Sequence, residues 1–150
     1  RVVLIPVESM DRFLSGCLPY VSQQDVQWFD ADSCKLDSYE YLLRATIQSI
    51  SSMFLKSEQP VYIIDGSSWA AYIENYICER GWGNAHVTSY DTSDFSLELT
   101  IPMQSQLPFT IGLLCGMWER AHGRAYRLSL RTESDTFVLQ IQSLLDYENQ

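Results

Sequence analysis

The chain reads as an α/β (α+β) domain in which an antiparallel sheet of about four strands, supplied by two hairpins, packs against helices on one side. Three observations predict it. Between residues 69 and 80 the apolar and aromatic positions recur at three- and four-residue steps, the period of a helix with one buried face. From Asn84 the period switches to alternation through the polar turn Asp91-Thr92-Ser93-Asp94, the pattern of a β-hairpin. A second helical stretch over 109 to 122 is followed by a second alternating pair, so helix, hairpin, helix and hairpin succeed one another up to Ile141.

Taken in order, residues 2 to 7 read as a short strand ended by Pro6 and residues 10 to 18 as a brief helix. Residues 37 to 54 read as a long helix with Tyr41, Leu42, Ala45, Ile47, Ile50 and Phe54 apolar and Asp37 or Ser38 as its N-cap. Within it the run Ser49 to Ser52 suits an exposed or small-residue packing face better than a nucleophile. Lys56 to Pro60 is a loop, and residues 61 to 64 fit a strand or an apolar extension of the next helix. That helix carries Trp69, Tyr72, Ile73, Tyr76, Ile77 and Arg80 on its apolar side. Asp65-Gly66 is the turn before it, Ser67 or Ser68 its N-cap, and Gly81 its left-handed C-cap.

In the first hairpin Ala85, Val87 and Ser89 are expected on one face and His86, Thr88 and Tyr90 on the other, leading into Phe95, Leu97, Leu99 and Ile101. Pro102 and Pro108 bracket a connector, and the helix from Phe109 ends at Gly123. Gly112 and Gly116, one turn apart, each cost roughly 1 kcal/mol against alanine, which close packing on the sheet or on a second subunit would repay. Tyr126, Leu128 and Leu130, the turn Thr132 to Asp135, and Phe137, Leu139 and Ile141 form the second hairpin.

Composition bounds the function. At 150 residues, 46% hydrophobic and 13% aromatic, the whole chain is expected to be one domain, long enough to bury roughly 68–70% of its unfolded surface. There is no apolar run of about 18 residues, which argues against a membrane span. The first residue is Arg rather than Met, which fits a trimmed or processed chain. A net charge of −9 speaks against a nucleic-acid surface, since phosphate binding needs clustered Lys and Arg. Arg120, Arg124, Arg127 and Arg131 do cluster, either as a solvated face paired with Glu119 and Glu133 or as a patch for an acidic partner.

Catalytic and metal motifs are missing: no Gly-x-Ser-x-Gly elbow, no phosphate-cradling glycine loop, no His-Glu-x-x-His. Asp30 with Asp32 and Asp91 with Asp94 sit in turn-like segments, where Asp bends and caps the backbone. Cys17, Cys34, Cys78 and Cys115 have no zinc-type spacing, and their even number leaves a disulfide open. Cys78 and Cys115 fall on apolar helix faces as buried small hydrophobes, and reduced thiols imply a cytoplasmic location. His122 suits the negative end of its helix, and His86 is a lone strand histidine. No cofactor and no metal is expected, and no enzyme activity.

The Gly81-Trp82-Gly83 that closes a helix and opens a hairpin, the segment Phe109 to Glu119, the turn His122-Gly123-Arg124 and the closing hairpin together resemble the 4-vinyl reductase domain family. That family shares its fold with the Bet-three-like subunits of TRAPP vesicle-tethering complexes, and the opening residues 1 to 6 with the helix after them are similar to the start of such domains. Aromatic-sensing members hold zinc with a glutamate and cysteines around the last hairpin; residues 126 to 142 contain no cysteine, so the resemblance carries no zinc site here. It implies a non-catalytic ligand-sensing or regulatory module that binds a small apolar molecule and acts as a homodimer. The alternative is an assembly subunit with a protein partner, like the tethering proteins or the small D subunit of cellulose synthase, which also carries Gly-Trp-Gly before a hairpin.

The aromatic helix faces define a candidate pocket of Trp69, Tyr72, Tyr76, Phe109 and Trp118, with His86 among its polar groups; an ordinary filled core is the competing reading. The candidate interface is Leu4, Phe13, Leu14 and Leu18 from the apolar opening segment, together with the glycine face at Gly112 and Gly116.

Overall fold

A computed structural model describes residues 26–27, 38–102, 107–123 and 126–143. The first strand and helix expected over 2 to 18, with Leu4, Phe13, Leu14 and Leu18, lie outside the described residues, as do Cys17, Cys34, Asp30, Asp32 and Arg124. The elements are β1 (Val26–Gln27), α1 (Ser38–Lys56), α2 (Gly66–Ile73, running on as a π turn over Glu74–Cys78), β2 (His86–Asp91), β3 (Ser96–Pro102), α3 (Leu107–His122), β4 (Tyr126–Glu133) and β5 (Thr136–Ser143). This is an α+β domain with an antiparallel sheet in the order β1-β4-β5-β3-β2. Four strands come from the two expected hairpins; the fifth, β1, pairs Val26 with Leu130 and is too short to leave a periodic signature.

The sheet's apolar face is laid out in rows by the register. Leu97 lies beside Ile141, which lies beside Leu128; Leu99 beside Leu139, beside Leu130; Ile101 beside Phe137. All eight side chains are buried, so alternation along each strand becomes a continuous apolar sheet layer. A one-residue slip of any strand would turn its row to the other face, which is what pins the register.

In β2 the expected alternation breaks. The register shifts between Val87 and Ser89, a β-bulge that inserts one residue and resets the phase. Val87 and Tyr90 are therefore the half-buried pair packed on the core, while Ser89, expected beside Val87, is exposed.

α1 and α3 pack along each other through the two glycines. A β-carbon on Gly112 would fall 2.6 Å from Ile50 Cβ, and one on Gly116 would fall 2.9 Å from Phe54 Cβ. The surface they form is real, but its partner is α1 of the same chain rather than the sheet or a second subunit. Every residue of α3 from Leu107 to Trp118 except Phe109 is buried, the pattern of a helix enclosed on all sides. It begins earlier than expected, with Pro108 in the first turn, where the missing N–H costs nothing.

α2 differs at both ends from the expected helix. Its N-cap is Asp65, whose carboxylate accepts from Ser68 N at 3.0 Å and from the Ser67 hydroxyl at 2.6 Å. Its last turn is π, with Glu79 N donating to Glu74 O at 2.9 Å. Trp69, Ile73 and Ile77 recur every four residues, more than the 3.6 of an α-helix, and the wider turn keeps all three on the core side, each buried. Gly81, at φ 74°, stops the helix as expected, with Trp82 N donating to Ile77 O at 3.0 Å. Residues 61 to 64 are neither strand nor helix but an irregular connector, tied down where Tyr62 N donates to the Tyr72 hydroxyl at 3.1 Å and Ile64 N to Ser68 Oγ at 3.3 Å.

Among the described residues no helix is long and apolar enough to cross a membrane.

Candidate functional site

The six residues expected to line one pocket fall in four places. Trp69 and Trp118 are fully buried at the C-terminal end of α3, each packed against His122. Tyr72 and Tyr76 stack on one another at 5.7 Å beside the connector, where the Tyr76 hydroxyl donates to Gln59 at 3.1 Å and Phe54 meets its ring edge-on. Arg80 lies over the Tyr76 ring, 4.8 Å from its centroid. Phe109 stacks on Trp82 at 5.7 Å near the start of α3, and the Thr110 hydroxyl donates to the Trp82 carbonyl at 2.7 Å. His86 is exposed at the start of the edge strand β2. The aromatic faces serve as packing, so the filled-core reading holds for Trp69 and Trp118, and His86 joins none of these rings.

The structure instead gathers an aromatic cluster around His122. The imidazole stacks on Phe95 at 4.6 Å and on Tyr90 at 6.1 Å; Trp118 meets it edge-on at 4.8 Å and Trp69 obliquely at 6.1 Å. Tyr90 Oη lies 3.4 Å from Nε2. Burial pushes the Tyr90 phenol up, with the Trp69 indole beside it acting in the opposite sense. Phe95 holds a left-handed φ of 57°, which costs a non-glycine residue roughly 1–2 kcal/mol. Its carbonyl accepts from Trp118 Nε1 at 3.2 Å, and its ring is held by the stack on His122. Tyr90, Phe95 and His122 were not legible as partners, because the bulge that turns Tyr90 inward and the backbone that aims Phe95 leave no periodic trace.

A second buried cluster joins α1, α3 and β4. The Tyr126 hydroxyl lies in hydrogen-bonding contact with the Cys115 thiol and with buried Ser51. Burial pushes the Cys115 thiol up to about 12, and burial also pushes the Tyr126 phenol upward. Both groups are neutral at physiological pH, so the thiol is a small hydrophobe and not a nucleophile, as its helix face implied. Cys78, half-buried with its thiol 3.4 Å from Asn84 Oδ1, is raised as well, again chiefly by burial.

The arginine cluster is not one solvated face. Arg120 reaches across to α1 and donates to the Leu55 carbonyl, closing the last turn of that helix. Arg131 pairs with Glu133 at 3.7 Å, as expected, and with Glu98 at 4.0 Å across the sheet. Asp91 and Asp94 serve their turn, accepting from Ser93 N at 2.8 Å and Ser96 N at 2.9 Å; the hydrogen bonds keep the Asp91 carboxyl below its ordinary range.

Two features face outward. α1 turns Gln48, Ser49, Ser52, Met53 and Lys56 away from α3, and with Ala45 they line an open groove of about 630 Å³. Nearby in sequence, the connector shows Tyr62 at 75% and Ile64 at 82% exposure, while Val61 between the loop and Tyr62 is buried. With Met53 at 49%, these are the large apolar side chains left on the described surface. Among the described residues no group of three or more His, Cys, Asp or Glu side chains is placed to hold a metal ion. No family model matches the chain, and no curated protein matches it.

Proposed function

We propose that this domain is a non-catalytic regulatory or assembly module of the 4-vinyl reductase type that acts by association as a homodimer. The described elements follow the order helix, hairpin, helix, hairpin from which this reading starts. The observation that carries the mode of action is the pair Tyr62 and Ile64, both exposed on a connector held by hydrogen bonds to α2. Exposed aromatic and branched side chains on an ordered segment suit a contact with a second copy of the chain. Small-molecule sensing is the second reading. The groove on α1 favours it, because Ala45 and Met53 beside two serines, Gln48 and Lys56 suit a small amphipathic molecule better than a purely apolar one.

Light scattering on the intact chain at tens of micromolar, with native mass spectrometry on the same sample, tests both. A dimer that dissociates in the double variant Tyr62→Ser, Ile64→Ser supports association, and a copurified molecule lost in Ser52→Trp supports sensing. A monomer without bound mass overturns both.

A further inference from the structure

We propose that His122 is an acid-tightened clasp that holds the β2–β3 hairpin against the C-terminal end of α3. The ring is the last residue of its helix and touches four aromatic side chains from three other places in the fold or from its own helix: Trp69 from α2, Tyr90 from β2, Phe95 from the hairpin turn and Trp118 one turn back. A protonated imidazole gains attraction to the π face of Phe95, 4.6 Å away, and to the carbonyl end of its helix, against the cost of holding a charge at a half-buried site. Both attractions exist only when the chain is folded.

The hydrogen bond survives the change of charge. With Nε2 bare, the Tyr90 hydroxyl donates to it; with Nε2 protonated, the ring donates to the Tyr90 oxygen, at the same 3.4 Å separation. Charge therefore adds to the clasp without breaking it. The segment it holds is under load, since Phe95 sits at φ 57° with its ring on the imidazole and its carbonyl on Trp118. The clasp thus sets how firmly a strained turn is pinned.

Among the described residues, Tyr90 is the titratable group that faces the ring from β2, and Trp69 faces it from α2. On the hairpin turn, Asp91 and Asp94 are folded back onto Ser93 and Ser96. On α3 itself, Glu119 lies one turn back, its carbonyl accepting from Gly123 N at 2.7 Å, and Arg120 is committed to Leu55 of α1. In the unfolded chain an imidazole loses its charge near pH 6.5. A charged ring favoured by the fold contributes its extra stability below that pH, and the contribution fades as pH rises and the native ring gives up its proton.

The test is an NMR titration of the imidazole C–H resonances of the intact chain, with the same ring in the urea-unfolded chain as reference. His122 is expected to titrate at higher pH in the native protein. A midpoint equal to or below the unfolded reference overturns the proposal. His122→Phe keeps a ring in the stack without the charge, and circular dichroism confirms its fold. Wild type should melt above this variant at about pH 5.5 and lose that advantage by about pH 8; a difference that does not change with pH overturns the clasp.

Discussion

Replacing Gly112 by alanine adds one methyl group to α3 and, by propensity alone, should stabilise that helix by about 1 kcal/mol. The structure reverses the sign. The new carbon would lie 2.6 Å from Ile50 Cβ, 2.9 Å from Ile50 Cγ2 and 3.0 Å from the Ile47 carbonyl oxygen, against about 3.5–4.0 Å for ordinary carbon contacts. Cβ and a backbone oxygen cannot swing aside as a flexible side-chain tip can, so α1 must retreat by about 1 Å. Overpacking of this kind costs roughly 1–3 kcal/mol, here near the upper end, for a net loss of about 2 kcal/mol. Gly116→Ala meets Phe54 Cβ at 2.9 Å and the Ser51 carbonyl at 3.1 Å and should lose about 1 kcal/mol net. Gly66→Ala is the control, since its nearest neighbours are Tyr90 Cβ at 3.8 Å and Val87 Cγ1 at 3.9 Å; it should be neutral or stabilising by up to about 1 kcal/mol. Urea unfolding followed by circular dichroism measures all three, and thermal midpoints should fall by about 2–4 °C per kcal/mol. If Gly112→Ala is as stable as wild type, the close α1–α3 contact does not exist in solution.

Arg120→Met keeps the apolar stem but removes the donor to the Leu55 carbonyl; it should cost about 1.5 kcal/mol in urea unfolding, the low end for a charged hydrogen bond at a half-buried site. Tyr126→Phe leaves Ser51 and Cys115 without their shared hydroxyl and should cost about 1 kcal/mol by the same assay. The Cys115 thiol is raised from 9.0 to about 12, so its neutral form is favoured in the fold: stability from it is complete below pH 9.0 and declines towards pH 12 as the unfolded thiol ionises and the native one does not. Wild type should therefore lose stability above pH 9.0 more steeply than Cys115→Ala, and equal slopes would show that burial does not protect the thiol.

The parts of the fold that were legible are those governed by one repeating pattern. Leu97, Leu99 and Ile101 announce their face by alternation alone, as do Phe137, Leu139 and Ile141, and all six are buried. Gly81 was legible because a helix that must stop favours a residue that tolerates positive φ. What escaped were departures from period. A single inserted residue in β2 turns Tyr90 inward, and a π turn realigns Ile77. The partner of a packing face is a tertiary fact: the small residues at 112 and 116 signal close approach, but nothing local says that Ile47, Ile50 and Phe54 are what approaches. The aromatic site failed for the same reason, since ring-rich helix faces are equally good at lining a cavity and at filling one.

That ambiguity decides where function should be sought. A ring contributes to ligand binding only if burying it against the ligand gains something the core has not already taken. Trp69 and Trp118 have no surface left to bury, and Tyr72 and Tyr76 have engaged their hydroxyls with Tyr62 of the connector and Gln59 of the loop before it, and their faces with each other and with Arg80. Removing these rings should therefore register as lost stability, by about 3–5 kcal/mol for Trp118→Ala, with no separable effect on association. Tyr62 and Ile64 stand at the other limit, with 75% and 82% of their surface still in water and nothing behind them to collapse. Their replacement by serine should leave the thermal midpoint within about 2 °C, because surface changes of this kind stay within ±0.5 kcal/mol. An association that weakens in that variant at unchanged stability would be a surface effect, separable from the core in a way that no substitution among the buried rings can be.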